Sequence, residues 1–229
     1  MSVSCDAAIL FAERHADLAD EMSLTEKDPK RATELRRIAE VCSQVPAHAP
    51  RDYWEAIQMY WFVHLGTITE LNGWDAMNPG HFDQHLAPFY EKGIADGTLT
   101  RDEAKELMSC FFIKVNNHTA PPKVGITAKE SGTYNDFTNL NIGGVKADGS
   151  DGVSEVSYIM LETIEELREA VASYLGNAAE KLRHQKSVAG AVYVFVLTNR
   201  FKEDEPQYNA GITVPLVDGT DDTLVLTTA

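Results

Sequence analysis

The sequence is poor in cysteine and in positive charge, and it contains no long apolar run. Its three cysteines, Cys5, Cys42 and Cys110, are far apart and form no Cys-x-x-Cys pair, which argues against a disulfide framework and a zinc site. No apolar stretch approaches the length of a membrane span, and the N-terminus lacks the basic and apolar regions of a signal peptide. These absences favour a reducing, cytoplasmic location without membrane contact.

The charge balance is strongly acidic. Lys and Arg total 20 and Asp and Glu total 35, so the formal net charge is -15. A chain with this charge repels nucleic acid as a whole, unless one face is locally basic. The hydrophobic fraction of 44% and the length of 229 residues are typical of a globular protein with one large domain or two small ones.

Apolar spacing predicts a helix-rich N-terminal half. Two helices are expected between residue 6 and about residue 42, separated at Asp28-Pro29. A third helix over residues 53–65 is apolar nearly all round, with Asp52 as its N-cap, and is therefore expected to be buried. His64 within this helix is expected to be a core histidine.

A further helix is predicted to begin at Arg101, because Thr100 and Glu103 form a capping box. Leu86–Lys92 is predicted only as a short helix or turn. The run Leu71–Tyr90, which contains it, is non-periodic and rich in polar side chains, and it fits either a ligand-pocket loop or a well-anchored structural loop.

A second polar loop is predicted over residues 129–136, between short strand candidates at 124–127 and 139–142. The turn at 148–152 superficially resembles a calcium loop through Asp148, Ser150 and Glu155. Its spacing departs from the twelve-residue pattern, so we expect no metal site.

The C-terminal part has a different pattern. A helix begins near Val156, and residues 165–185 form one amphipathic helix. Residues 187–198 and 208–216 are strands that could pair as a hairpin with a long loop, and residues 219–222 are typical of a helix N-terminus.

Seven collinear sequence runs occupy the N-terminal part. They are Phe-Ala-Glu-Arg-His at 11–15, Pro-Ala-His-Ala-Pro at 46–50, Glu-Ala-Ile-Gln-Met-Tyr-Trp-Phe-Val-His-Leu-Gly at 55–66, Asn-Pro-Gly-His-Phe-Asp-Gln at 78–84, Pro-Pro-Lys-Val-Gly at 121–125, Glu-Ser-Gly-Thr-Tyr at 130–134 and Asn-Ile-Gly-Gly at 141–144. Through these runs, residues 6 to about 163 resemble the glycyl radical enzymes of the pyruvate formate-lyase superfamily, especially the hydroxyproline and glycerol dehydratase-like members. His81 departs from the pattern, because the family usually has arginine after Pro-Gly.

The resemblance implies part of a ten-stranded α/β barrel that binds a small polar metabolite. It implies substrate-pocket roles for Asp75, Ser131 and Asp136. The family's radical glycine, its thiyl cysteine and the glutamate base of its Cys-x-Glu arrangement all lie downstream of the matching part. Neither the Cys-x-Glu arrangement nor the radical glycine loop occurs here, so we expect no catalytic residue and no cofactor in this chain, and no turnover by it alone.

A second set of runs begins near residue 163. It consists of Leu-Arg-Glu-Ala-Val-Ala-Ser-Tyr at 167–174, Ala-Glu-Lys-Leu-Arg at 179–183, Ser-Val-Ala-Gly-Ala at 187–191, Thr-Asn-Arg-Phe at 198–201, Asp-Glu-Pro-Gln-Tyr at 204–208, Thr-Val-Pro-Leu at 213–216 and Thr-Asp-Asp-Thr at 220–223. This part resembles the little-finger domain of Y-family translesion DNA polymerases of the UmuC type, which grips the DNA backbone. The first strand, the closing helix, the last strand and the magnesium-binding carboxylates of that family are absent.

Five basic residues could supply phosphate contacts in this segment: Lys181, Arg183, Lys186, Arg200 and Lys202. The alternative is a solvated helix end and turn, because Glu203, Asp204 and Glu205 offset the charge.

The predicted fold class is therefore helix-rich α+β. It combines a partial α/β barrel of the glycyl radical enzyme type, assigned to residues 1–163, with a helix plus a short antiparallel sheet, assigned to residues 164–229. Three functions remain open. The first is a remnant of a radical lyase or dehydratase that retains weak substrate binding or acts as part of a split enzyme with a partner chain. The second is a module that binds duplex DNA, and the third is a non-functional fusion product. Exposed strand edges could also permit self-association.

Overall fold

The structure is a computed structural model that describes residues 2–67, 79–116, 140–197 and 209–228. The described elements, in chain order, are α1 (Ser2–Thr25), α2 (Pro29–Gln44), α3 (Tyr53–Gly66), β1 (Gly80–His81), α4 (Phe82–Asp96), α5 (Arg101–Asn116), β2 (Leu140–Asn141), α6 (Glu155–Gln185), β3 (Ala189–Leu197), β4 (Asn209–Thr220) and α7 (Thr223–Thr228). The helix-rich α+β class is confirmed.

The predicted helix caps form as expected. The Asp28 side chain accepts a hydrogen bond from the Lys30 backbone N–H at 2.9 Å, and the Asp52 side chain accepts one from Glu55 at 2.9 Å. The Glu103 carboxylate accepts from the Thr100 backbone N–H at 2.8 Å, which completes the predicted capping box. Each cap satisfies a backbone donor that a helix start would otherwise leave unpaired.

The prediction of a short helix or turn at residues 86–92 is wrong, because α4 extends over 15 residues from Phe82 to Asp96. Pro88 inside it removes one helical hydrogen bond, which normally costs about 3 kcal/mol. Phe82 and Leu86, one turn apart, are completely buried and favour the helix despite that loss. The loop predicted over residues 71–90 therefore ends before Phe82. α4 ends at Gly97, whose φ of 69° is the left-handed conformation that favours glycine.

The two overlapping helices predicted after Val156 are one continuous helix, α6, from Glu155 to Gln185. No glycine or proline interrupts residues 153–175, so nothing in the sequence ends the first helix before the second begins. The predicted hairpin is confirmed: β3 and β4 are antiparallel, with Val192 opposite Val214.

The described residues up to Leu161 form one compact unit, and those from Glu162 onward form another. The assignment of domains to residues 1–163 and 164–229 stays a prediction. In the first unit, the larger cluster of buried side chains joins α3, α4, α5 and the start of α6. A smaller cluster joins α1 and α2 through alanines such as Ala12 and Ala16. Across the described residues, no helix is long and apolar enough to cross a membrane.

Candidate functional site

The strands β1 and β2 bring two of the sequence motifs side by side. They are parallel, with Gly80 opposite Leu140 and His81 opposite Asn141. One polar stretch of chain, residues 68–78, leads into β1, and the other, residues 117–139, leads into β2. The strands that follow these two stretches therefore lie side by side in the first unit.

The side chain of Asp83, the second residue of α4, connects this region through hydrogen bonds to Gly143, Ser157 and Gln84, and we call these contacts the Asp83 anchor. Its carboxylate is completely buried, accepts a hydrogen bond from the Gly143 backbone N–H at 2.7 Å and accepts another from the Ser157 hydroxyl. Its other oxygen accepts from the Gln84 backbone N–H at 2.8 Å. Because a buried carboxylate is costly unless it is hydrogen-bonded, these donors allow Asp83 to join α4, the Gly143 turn and α6.

Gln84 makes a second contact to the same turn. Its side-chain amide donates to the Gly143 carbonyl at 2.6 Å. A side chain at position 152 would collide with this contact, because an added Cβ would lie 2.2 Å from the Gln84 Nε2 and 2.9 Å from the Gly143 carbonyl oxygen. Residue 152 is therefore glycine because there is no space for a Cβ atom.

His81 lies at the edge of this anchor. An added Cβ on Gly144, whose φ is +82°, would lie 3.1 Å from the His81 Cε1. The His81 Nδ1 is 3.5 Å from the Gln84 side-chain nitrogen. The residue at which the chain departs from its family pattern therefore borders the anchored turn.

Tyr60 of α3 and His85 of α4 form a neighbouring pair. The Tyr60 hydroxyl hydrogen-bonds the His85 Nδ1, and the two rings are nearly parallel, at 8°. Burial raises the pKa of the Tyr60 phenol above its usual value, so the hydroxyl remains protonated at neutral pH. Sequence reasoning missed this pair because its members are 25 residues apart.

An ion-pair network around the buried Glu55 supports the start of α3. Glu55 is completely buried, and the Arg51 guanidinium donates to it at 2.6 Å. That contact also raises the pKa of Arg51 above its usual value. Arg37 of α2 lies 3.9 Å from Glu55 and hydrogen-bonds Asp52. The i,i+4 spacing of Arg51 and Glu55 was the sequence signal for this network, whose role is to hold α2 on α3.

The structure describes only some of the predicted site residues. Asp75, Ser131, Asp136, Arg200 and Lys202 all lie outside the described residues, so their roles stay predictions. For metal binding, no group of three or more His, Cys, Asp or Glu side chains in the described ranges could hold an ion.

Three of the predicted DNA-contacting residues are described. Lys181 and Lys186 are exposed. Arg183 is also exposed, and its Nη1 atom donates to the Asp221 carbonyl and to the Thr223 hydroxyl, both at 2.9 Å. These bonds link the start of α7 to the end of α6, and the predicted phosphate contacts of all three residues stay predictions.

Comparison with known proteins gives a decisive match for the larger part of the chain. A family model described as pyruvate formate lyase-like matches residues 1–175. The chain belongs to this family. A second model, the impB/mucB/samB family C-terminal domain, matches residues 153–229, so the two matches overlap within α6. Both resemblances seen in the sequence are confirmed.

The similar members of the pyruvate formate lyase-like family are dehydratases and lyases. Trans-4-hydroxy-L-proline dehydratase of Clostridioides difficile is 54% identical over 168 residues, which are 73% of this chain and 21% of that protein. Isethionate sulfite-lyase of Nitratidesulfovibrio vulgaris is 33% identical over 70% of this chain and 19% of its own length. The chain thus spans about a fifth of the curated relatives it matches.

Solved structures agree with the sequence matches. The crystal structure of hydroxyproline dehydratase from Clostridioides difficile with trans-4-hydroxy-L-proline bound has a TM-score of 0.66 and 49% identity over 77% of this chain and 24% of that one. The glycerol-bound glycerol dehydratase of Clostridium butyricum has a TM-score of 0.63 and 35% identity over 72% of this chain and 20% of that one. The first unit is therefore a partial barrel of the glycyl radical enzyme type.

Proposed function

We propose that this chain supplies one wall of the substrate pocket of a glycyl radical dehydratase or lyase, and that turnover requires polypeptide beyond it. The observation that carries the proposal is the buried Asp83 anchor. It joins α4, directly after β1, to the Gly143 turn, directly after β2, and these strands follow the two polar stretches that contain Asp75, Ser131 and Asp136. A pocket wall needs polar loops on a rigid support, and the anchor provides that support.

The substrate class proposed is a small hydroxylated amino acid. Asp75 and Asp136 are carboxylates that could pair with an ammonium group, and Ser131 could hydrogen-bond a hydroxyl or carboxylate. The 54% identity to a trans-4-hydroxy-L-proline dehydratase makes that amino acid the first ligand to test.

The cysteines support the second part of the proposal. A thiyl-forming cysteine must reach its substrate, whereas Cys42 is buried between helices and burial raises the pKa of its thiol to about 11. Cys5 is exposed on α1 and Cys110 lies on α5, so both are on helices outside the two polar stretches. We therefore propose that the chain alone does not carry out dehydration.

The test is ligand binding by the full chain, followed through hydrogen exchange of residues 68–78 and 117–139. Trans-4-hydroxy-L-proline should slow exchange in both stretches, and L-proline, which lacks the hydroxyl, should do so more weakly. Asp75→Asn should abolish the protection, whereas Asp102→Asn, the same change at an exposed position on α5, should leave it unchanged. Absence of protection at saturating ligand would refute the pocket wall, and dehydration by the chain alone would refute the need for further polypeptide.

The match of residues 153–229 to the impB/mucB/samB C-terminal model favours a second candidate function, binding of the duplex DNA backbone. Lys181, Arg183 and Lys186 are the predicted contact residues that are described and exposed, and they could contact phosphate there. Because such contacts release counterions, binding should weaken steeply as salt rises.

Fluorescence anisotropy with labelled duplex DNA at low salt tests this candidate. Changing both Lys181 and Lys186 to Glu should abolish binding. Changing Lys27 and Lys30 to Glu, which alters the net charge equally on the other unit, should not. Lack of DNA binding by the unchanged chain at low salt would contradict the candidate. If hydroxyproline protection also failed, only the non-functional fusion product would remain.

A further inference from the structure

The β1–β2 pair carries two exposed polar side chains that have no part in the proposed function above. His81 ends β1 and Asn141 ends β2, and the strand register places these two residues opposite each other. Residues paired in this way across two strands project to the same side of the sheet. Their side chains are therefore neighbours, and we call them the His81–Asn141 pair.

The pair faces away from the helices of the first unit. Leu140 and Ile142, the two neighbours of Asn141 in sequence, both pack against the larger core cluster. Because successive side chains of a strand alternate between the two faces, Asn141 points to the face opposite that core. His81 shares this face through the register, and both members of the pair are exposed, whereas Gly80 and Leu140 are half-buried.

This face of the sheet is the inner one. In an α/β barrel the helices lie outside, so the strand face that points away from them lines the interior. The first unit is a partial barrel, so the His81–Asn141 pair lies on its interior side. Apolar neighbours there would leave the polar atoms of the pair without hydrogen bonds, which is costly, whereas a polar ligand would satisfy them.

Gln84 and Gly144 set the orientation of the His81 ring. The Gln84 Nε2 donates to the Gly143 carbonyl at 2.6 Å and lies 3.5 Å from the His81 Nδ1. Since an amide nitrogen only donates, the Nδ1 that faces it is the acceptor of the neutral ring, and Nε2 carries the hydrogen. The ring also lies against Gly144, where an added Cβ would be 3.1 Å from the His81 Cε1. Nε2 is therefore the ring atom that can donate to a ligand.

The chemistry of the pair matches a hydroxyl group, which both donates and accepts hydrogen bonds. The His81 Nε2–H can donate to the hydroxyl oxygen, and the Asn141 side-chain carbonyl can accept the hydroxyl hydrogen. An ammonium group is better matched by carboxylates, the role proposed above for Asp75 and Asp136. The hydroxyl is therefore the substrate group that suits this pair of neutral side chains.

We propose that the His81–Asn141 pair binds the hydroxyl group of the substrate and makes the pocket wall selective for hydroxylated over unhydroxylated amino acids. This inference rests on the proposed function, because it requires that the pocket wall binds a small hydroxylated amino acid. It adds two binding residues at the strand ends to those in the two polar stretches.

Isothermal titration calorimetry of the full chain with trans-4-hydroxy-L-proline and with L-proline tests the pair. The unchanged chain should bind hydroxyproline more tightly than proline. His81→Ala and Asn141→Ala should each weaken hydroxyproline binding roughly tenfold, as for the loss of one hydrogen bond, and should change proline binding less than about twofold. His48→Ala and Asn177→Ala, the same changes at exposed positions outside β1 and β2, should alter neither affinity.

The ratio of the two affinities separates a ligand contact from a structural role. A structural defect would weaken the binding of both ligands equally, so equal losses overturn the proposal. Hydroxyproline selectivity that survives in both alanine variants overturns this inference alone and leaves the pocket wall in place. An unchanged chain that binds neither ligand overturns the proposed function as well. Circular dichroism checks the fold of each variant, and if one does not fold, the other decides.

Discussion

Two fully buried acids in the first unit are stabilised in different ways. Glu55 is paired with the guanidinium of Arg51, so its charge is compensated by an opposite charge. Asp83 accepts instead from the neutral donors of Gly143, Ser157 and Gln84. The first arrangement pairs a helix with the residues that precede it and, through Arg37, with α2, whereas the second joins a helix to a glycine turn beside β1 and β2.

At the residue scale, Asp83→Asn should destabilise the first unit by about 2–4 kcal/mol, because the amide nitrogen cannot accept the hydrogen bonds that buried donors now make. Urea unfolding followed by tryptophan fluorescence measures the change. Asp102→Asn, the same substitution at an exposed site, should change the free energy of unfolding by less than about 0.5 kcal/mol. Equal effects of the two variants would show that the Asp83 hydrogen bonds contribute nothing specific.

At the scale of the element, the starts of the helices are the features that the local sequence specifies best. Asp28, Asp52 and Thr100 each cap a helix through a side chain, and the Asp222 carboxylate accepts from the Leu224 backbone N–H at 2.8 Å at the start of α7. These contacts span two or three residues, so they form wherever the local backbone turns into a helix.

Removing the cap of α5 with Thr100→Ala should lower the free energy of unfolding by about 1 kcal/mol. Thr98→Ala, at an exposed position two residues earlier, is the matched control and should cost much less. Thermal unfolding at neutral pH measures both. A Thr98 variant that loses as much stability as the Thr100 variant would contradict the capping role.

The same capping box predicts a dependence on pH. Hydrogen bonds from Thr100 hold the pKa of Glu103 below its ordinary 4.5 in the folded chain. Because the pKa of Glu103 is lower in the folded chain than in the unfolded chain, its ionised carboxylate stabilises the folded state fully above pH 4.5. This stabilisation is lost as the pH falls through the folded pKa. The stability difference between the unchanged chain and Glu103→Gln should therefore be constant near neutrality and shrink below about pH 4.5. A difference that grows on acidification would contradict this assignment.

At the scale of the whole molecule, the two units have very different cores. The larger cluster of the first unit contains 13 buried residues, including Phe82 and Met108. The described part of the second contains only Ala179, Val192 and Leu226. Since burial of apolar surface must offset the entropy of ordering the chain, the second unit should be the less stable.

Unfolding should therefore occur in two steps. All three tryptophans lie at positions 54, 61 and 74, so their fluorescence reports on the first unit. Far-UV circular dichroism also reports on α6 beyond residue 161 and on the hairpin, so its signal should begin to change at a lower urea concentration. Coincident transitions would show that the chain unfolds as one cooperative unit.

The sequence by itself determined the helix caps at Asp28, Asp52 and Thr100, because these depend on residues two or three positions apart. Its β-branched and aromatic runs also predicted the β3–β4 hairpin. Only the tertiary structure decided which distant groups meet. Asp83 contacts partners 60 and 74 residues away, and Arg183 contacts Thr223, 40 residues away. It also decided the length of α4, because burial of Phe82 and Leu86 outweighs the local cost of Pro88. Local hydrogen bonds are specified by spacing along the chain, whereas burial and long-range partners follow from how the helices pack.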